Sequence, residues 1–305
     1  MSTPWVTYYL RWLLHCLLIF LSVAFFSLYE RKVIRFYHNR TGPNKVSFIG
    51  LLQGVIDALK FFFKQNIIPN QSNKLTYSLS PSFSLLVSCV VWITMPSFYS
   101  FLHLNYSLLV FFCLASFIVF TVLLAGWSSN SKYSLIGRLR SVAQSISYES
   151  VFRTLLVLII VIASSFRIYS FKVQSRLLFL LLFPLWFICS LAESHRAPFD
   201  FRESESELVS GYNTEYSAAN FAFVILSEYI IVLYSCMLMT FLFFSSLVSL
   251  NIFLLALFTM LMTFLVTWVR ITFCRFRYDI LMITSWKVFL PFSLMIFIIF
   301  LLFIL

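Results

Sequence analysis

The sequence predicts an all-α polytopic membrane protein of eight transmembrane helices, with one further amphipathic helix lying at the interface. Three observations carry that prediction. The 305 residues are 61% hydrophobic and only 11% charged, with a mean hydropathy of +0.94. A water-soluble domain has no interior large enough to hide that much apolar surface. The apolar residues also come in long continuous runs rather than short alternating segments, which argues against a transmembrane barrel. Finally, the basic residues gather in alternate loops, the pattern of a polytopic chain.

A helix crossing the hydrocarbon core needs about 20 apolar residues. Runs of that size fall at residues 5–29, 79–103, 106–127, 139–165, 175–193, 219–245, 250–270 and 284–305. The first run is too long for the core of a signal peptide, and no small-residue cleavage site follows it. The fourth carries Arg138, Arg140, Glu149 and Arg153 at or in its first half. It is expected to be long and tilted, or buried among its neighbours. Residues 1–305 read as one integral membrane domain.

Eight spans place loops one, three, five and seven on one side, and those loops hold 16 of the 22 basic residues. The asymmetry puts them on the cytoplasmic or matrix face and both termini in the other compartment. Loop one, residues 30–78, is too long for a simple connection. Within it, residues 50–65 (GLLQGVIDALKFFFKQ) place Leu52, Val55, Ile56, Leu59, Phe62 and Phe63 on one helical face. Gln53, Asp57, Lys60 and Lys64 fall on the other, which predicts a helix lying in the interface. Its polar face serves as an anchor, lines a cavity or docks a soluble subunit.

Loop five, residues 193–218, has the opposite character. The stretch Ala192–Tyr216 (AESHRAPFDFRESESELVSGYNTEY) holds six of the eleven acidic residues. Pro198 disfavours helix past Ala197. Asp200, Glu203, Glu205 and Glu207 either surround a channel mouth or form a solvated acidic loop. A very basic and a very acidic loop on one face are expected to meet in space.

Three carboxylates are expected within or at the end of spans: Glu149 in the fourth, Glu193 ending the fifth and Glu228 in the sixth. An ionisable residue there costs several kcal/mol, at least ~2.5 on insertion scales, and usually faces a wet cavity on an ion or proton path. The structural alternative for each is a buried carboxyl paired with a nearby Arg. Arginines beside aromatics at the ends of spans one and seven suit either a polar head group on an apolar tail or simple interfacial anchoring. Cys16, Cys89, Cys113, Cys189, Cys236 and Cys274 are scattered, with no CxxC or Cys/His cluster. The chain is therefore expected to hold no metal, and most of these cysteines to be small buried side chains. His15, His38, His103 and His195 are isolated and are read as non-ligands.

Several segments carry a resemblance. They are Glu30–Lys32, RTGPN at 40–44, Leu52-Gln53 with DALK at 57–60, AGWSSNSKY at 125–133, RSVAQSISYE at 140–149, Ala192–Tyr216, LSEY at 226–229 and RFRYDILMITSWKVFL at 275–290. In this order they are similar to the subunit 1 family of NADH:quinone oxidoreductases, the quinone-site membrane subunit of respiratory complex I. The resemblance implies an eight-span subunit that forms part of a quinone chamber with two hydrophilic subunits. On matching positions, Arg31, Arg35, Asp57, Arg196, Arg275 and Arg277 line or guard that chamber. Glu149, Glu193 and Glu228 match a buried carboxylate chain that couples quinone reduction to proton translocation, and Asp200, Glu203, Glu205 and Glu207 match its acidic loop.

The resemblance further implies ubiquinone as substrate, with FMN and iron–sulfur clusters in partner subunits and none bound here. The implied partners are hydrophilic quinone-site and iron–sulfur subunits, antiporter-like membrane subunits and membrane lipids, with no nucleic acid. The implied location is the mitochondrial inner membrane, or a bacterial plasma membrane; 38 phenylalanines fit a thymine-rich organelle genome. Some positions depart from the family pattern: Gln65 where Glu is frequent, His38 where Gln is usual, Arg138 where a small residue is usual and Cys274 where Pro is common. Two other readings stay open, a related membrane subunit of a hydrogenase-type complex and a free-standing ion transporter.

Overall fold

A computed structural model describes residues 4–96, 105–163, 165–168, 176–201, 215–244 and 252–304. Among the described residues every regular element is helical, with no strand. The helices are α1 (Pro4–Tyr37), α2 (Gln53–Phe63), α3 (Lys74–Val91), α4 (Ser107–Ser129) and α5 (Lys132–Ala163). They continue with α6 (Arg176–Glu193), α7 (Ala218–Phe243), α8 (Ile252–Thr272), α9 (Tyr278–Thr284) and α10 (Leu290–Ile304). A π turn at Ser285–Phe289 joins α9 to α10.

Among the described residues, seven stretches are long and apolar enough to cross a membrane. They are Arg11–Tyr37, Lys74–Thr94, Ser107–Ser129, Lys132–Ile162, Ala218–Phe243, Phe253–Thr272 and Tyr278–Leu302. The remaining expected span falls on α6, whose described apolar part, Leu182–Glu193, is shorter than a bilayer crossing. Helix ends differ from the apolar runs for a physical reason. Backbone hydrogen bonding continues through polar residues, so α1 runs on to Tyr37, short of the Gly42-Pro43 turn. By the same rule α5 starts at Lys132 and α9 at Tyr278.

The core gathers on α5, α6 and α7. Tyr148, Phe152, Leu155 and Leu156 of α5 meet Trp186 and Cys189 of α6 and Tyr234, Leu238 and Met239 of α7. The Phe152 and Trp186 rings lie 4.1 Å apart. The fourth span is both long, at 32 residues, and buried among its neighbours: α5 is the most enclosed of the long helices, which shelters Arg138 and Glu149. Span hydroxyls return to their own helix, as Ser88, Thr121, Ser227 and Thr240 do by donating to carbonyls three residues back. This meets the demand that no polar group go unpaired in lipid.

The helix ends fall into two sets. On one side the amide of Asn73 donates to the Ser128 carbonyl, Phe276 donates to Pro198, and Ile67 donates to Ser217 Oγ at 2.8 Å. On the other, the start of α4 meets the end of α5, with Ile168 donating to Ser107 Oγ at 3.1 Å. Close approach at two glycines fixes the seams. A Cβ on Gly54 of α2 would stand 2.8 Å from the Ala24 carbonyl oxygen of α1, and one on Gly126 of α4 would collide with the Arg138 side chain of α5.

The amphipathic segment is helical over Gln53–Phe63, slightly inside the predicted 50–65. Val55, Leu59, Phe62 and Phe63 are exposed. Asp57 is instead engaged, accepting from Arg31 at 2.7 Å and from Gln53 Nε2 at 2.9 Å. Of the cysteines, Cys89, Cys189 and Cys236 are buried and Cys16 is half-buried, whereas Cys113 and Cys274 are exposed. Burial therefore covers half of them rather than most, because Cys113 faces outward on α4 and Cys274 follows the end of α8.

Candidate functional site: a carboxylate pocket beside a buried ion cluster

Glu149, Glu193 and Glu228 come from three helices and line one pocket. Helical spacing builds it. Ala115, Ile118, Val119 and Val122 form one face of α4; Ser145 and Glu149 stand one turn apart on α5; Glu228 and Ile231 do the same on α7. Glu193, Ser194 and His195 close the pocket from the end of α6. Glu149 is buried and accepts from Ser116 Oγ at 3.1 Å and from Arg153, one turn further along α5. It thus combines both expectations for an intramembrane carboxyl: it lines a cavity and is paired with an Arg.

The end of α6 sets up a second constellation. His195 adopts φ 50°, the left-handed region where His is enriched among non-glycine residues. The His195 amide donates to Ala192 O at 3.3 Å and the Arg196 amide to Leu191 O at 3.4 Å, the paired bonds of a Schellman ending. Gln144 of α5 pins the following turn, its Nε2 donating to Ala192 O at 2.9 Å and Phe199 O at 2.8 Å. The chain therefore turns back sharply, and Arg196 enters the protein rather than the loop.

There Arg196 meets Glu30 of α1, which is only 4% exposed. The guanidinium lies 3.5 Å from Glu30 Oε1 and 4.3 Å from the centre of the Tyr229 ring. Arg270 of α8 also donates to Glu30 Oε1, and the Tyr229 hydroxyl donates to Oε2 at 2.9 Å. Burial alone would lower the Arg196 pKa, but the Glu30 carboxylate, with Tyr229 and Glu228, pushes it above the ordinary arginine value. The guanidinium is therefore a fixed positive charge. Tyr229 belongs to this cluster and its neighbour Glu228 to the pocket, so the two constellations adjoin along α7.

The six candidate chamber residues do not all gather there. Arg31 and Asp57 pair with each other at the α1–α2 seam. Arg35 donates to Asn44 Oδ1 at 3.4 Å. Arg275 pairs with Asp200 at 3.2 Å, whereas Arg277 pairs with its exposed near-neighbour Asp279 at 3.0 Å. Glu203, Glu205 and Glu207 lie outside the described residues, as does Arg202. Loops one and five do touch, through Ile67 with Ser217, and next to it the Ala219 amide at the start of α7 donates to Asn66 Oδ1 of loop one. Of the ion pairs described, Arg196 of loop five meets Glu30 at the start of loop one with the signs opposite to those expected, Asp57 satisfies Arg31 within loop one, and Asp200 of loop five pairs with Arg275 of loop seven.

A model of the NADH dehydrogenase family matches residues 10–301. The chain belongs to that family. It is 44% identical to NADH-ubiquinone oxidoreductase chain 1 of Aedes aegypti over 287 residues, covering 92% of this chain and 91% of that protein. The chain 1 protein of Locusta migratoria is 44% identical over 290 residues, with 93% and 92% covered. That of the sea urchin Paracentrotus lividus is 41% identical over 287 residues, with 90% and 89% covered.

Within this family member, sequence reasoning missed Ser194 and His195 at the pocket, and Glu30 and Arg270 as a buried pair. Ending the first span at residue 29 left Glu30 in a loop. The signal available was a lone acid within ERK, directly continuing a helical pattern. Among the described residues, no three His, Cys, Asp or Glu side chains gather as a metal site. Arg138, the departure noted in the third loop, is 3% exposed; it lies across Gly126, donates to Val122 O and stands 6.0 Å from the Tyr216 ring.

Proposed function

We propose that the chain is the core membrane subunit of a proton-pumping NADH:ubiquinone oxidoreductase in the mitochondrial inner membrane, forming part of the quinone chamber and coupling quinone reduction to proton translocation. The observation that carries this reading is the meeting of Glu149, Glu193 and Glu228 at one pocket. Carboxylates around one poorly screened cavity lie in each other's field, so a charge change near one is felt by the others. The fixed Arg196–Glu30 cluster supplies a constant field at one end. A reduced, negatively charged quinone near the loop-five end would alter that field and shift protons among the three. Arg31, Arg35, Asp57, Arg275 and Arg277 are candidates for guarding the chamber, and Asp200, Glu203, Glu205 and Glu207 for sensing the charge. Electron transfer belongs to FMN and iron–sulfur clusters of hydrophilic partner subunits, and proton transfer continues into antiporter-like membrane subunits.

The whole chain is read as a single membrane domain of eight spans with α2 at the interface. The case for the eighth span is topological. Phe166 sits with the start of α4, whereas Arg196, just past the end of α6, sits with the ends of α1 and α8, which supports a crossing by α6 from one face to the other. Its 18 residues reach about 27 Å at 1.5 Å per residue, close to a hydrocarbon core of about 30 Å. The test is purification from native membranes under mild detergent. Co-purification with iron–sulfur and antiporter-like subunits, and ubiquinone reduction sensitive to quinone-site inhibitors, is expected. Ion transport by the chain reconstituted alone would overturn the reading.

A further inference from the structure

The outward stripe of α5 carries one charge, Arg153, whose donors the described residues only partly satisfy. Ile146, Ser150, Arg153 and Val157 follow each other at four- and three-residue steps on the side of α5 turned away from the core. Arg153 has a side chain 46% exposed. It stands ten residues before the end of α5, about 15 Å at 1.5 Å per residue, near the middle of a hydrocarbon core about 30 Å thick. That is too deep for the head group to snorkel from a helix end to water. Nor does Arg153 line the carboxylate pocket.

A guanidinium has five N–H donors in a planar fork. Here Nη2 serves both Glu149 and Ser116 Oγ, the latter at 2.7 Å. Nε and Nη1 meet no acceptor among the described residues. Hydrocarbon offers none, and within the membrane such donors must be met by protein. We propose that this face of α4 and α5 docks a transmembrane helix of a neighbouring subunit that presents a carboxylate to Arg153. Charge complementarity selects the occupant. The fork fits a carboxylate with two parallel bonds, and Arg153 would then bridge Glu149 to an acid on the neighbour. This rests on the reading of the chain as a subunit of a larger membrane complex, and adds where one contact lies and what chemistry makes it.

The experiment is photo-cross-linking in the purified, assembled complex. A benzophenone side chain replaces Val157, one turn from Arg153 on the same stripe, and cross-linked peptides are sequenced by mass spectrometry. The expected product joins α5 to a membrane-helix peptide with Asp or Glu within one turn of the cross-link. In the same complex, Arg153→Glu should lower the yield of assembled particles several-fold, and reversing the captured acid to Arg should restore it. Cross-links to lipid alone, or to a peptide without an acid, would overturn the contact; so would full yield from Arg153→Glu. A chain that purifies without other membrane subunits would instead sink the subunit reading itself, so the two failures are distinguishable.

Discussion

Glu30 is the residue on which the buried ion cluster turns. Its carboxylate accepts from Arg270 and Tyr229 and faces Arg196, so three helices and loop five meet at one side chain. Removing one partner of a buried pair strands the other, at roughly 3–5 kcal/mol. Glu30→Gln should therefore lower the thermal stability of the purified complex by about that amount, measured by melting. Arg31→Gln, which breaks the half-exposed Asp57 pair, should cost under about 1 kcal/mol in the same assay. Equal losses from both would show that burial of the cluster has been overrated. At His195 the backbone φ of 50° tolerates Gly and resists β-branched residues. His195→Val should destabilise the complex by about 1–2 kcal/mol more than His195→Gly.

Two seams carry the elements into position. Gln144 ties the end of α6 to α5 through two carbonyls. Gln144→Leu removes one donor from each carbonyl, leaving Ala192 O with the His195 amide and Phe199 O with the Phe201 amide. About 1–3 kcal/mol of stability should go with the two lost bonds, with quinone reductase activity falling as loop five loosens, measured by melting and by ubiquinone turnover. Gly126 gives Arg138 room, so Gly126→Ala should cost about 1–3 kcal/mol by overpacking, and Gly126→Ala with Arg138→Ala should recover most of it. The helices themselves were largely legible, because runs of apolar residues report what a bilayer or a helix core accepts. The boundaries were not. Polar ends such as Glu30–Tyr37 and Lys132–Leu139 are helical by backbone bonding, to which hydropathy is blind. That difference moved Glu30 from an expected loop into the fold's interior.

At the scale of the molecule, alternation of basic loops was enough to predict which helix ends share a side, and the described contacts between ends agree with it. The three intramembrane carboxylates were legible one by one, since each is an expensive charge in an apolar run. Their convergence was not, because it depends on packing α4, α5 and α7 around the turn at His195. Ser194 and His195 could not be distinguished from an ordinary loop for the same reason. The central claim is that the shared pocket couples quinone chemistry to proton movement. Proton pumping per ubiquinone reduced, in vesicles carrying the complex with Glu149→Gln or Glu228→Gln, tests it most directly. Pumping should fall at least several-fold in both, while NADH oxidation by an artificial acceptor stays at the parent rate. Full pumping in both variants would contradict the account.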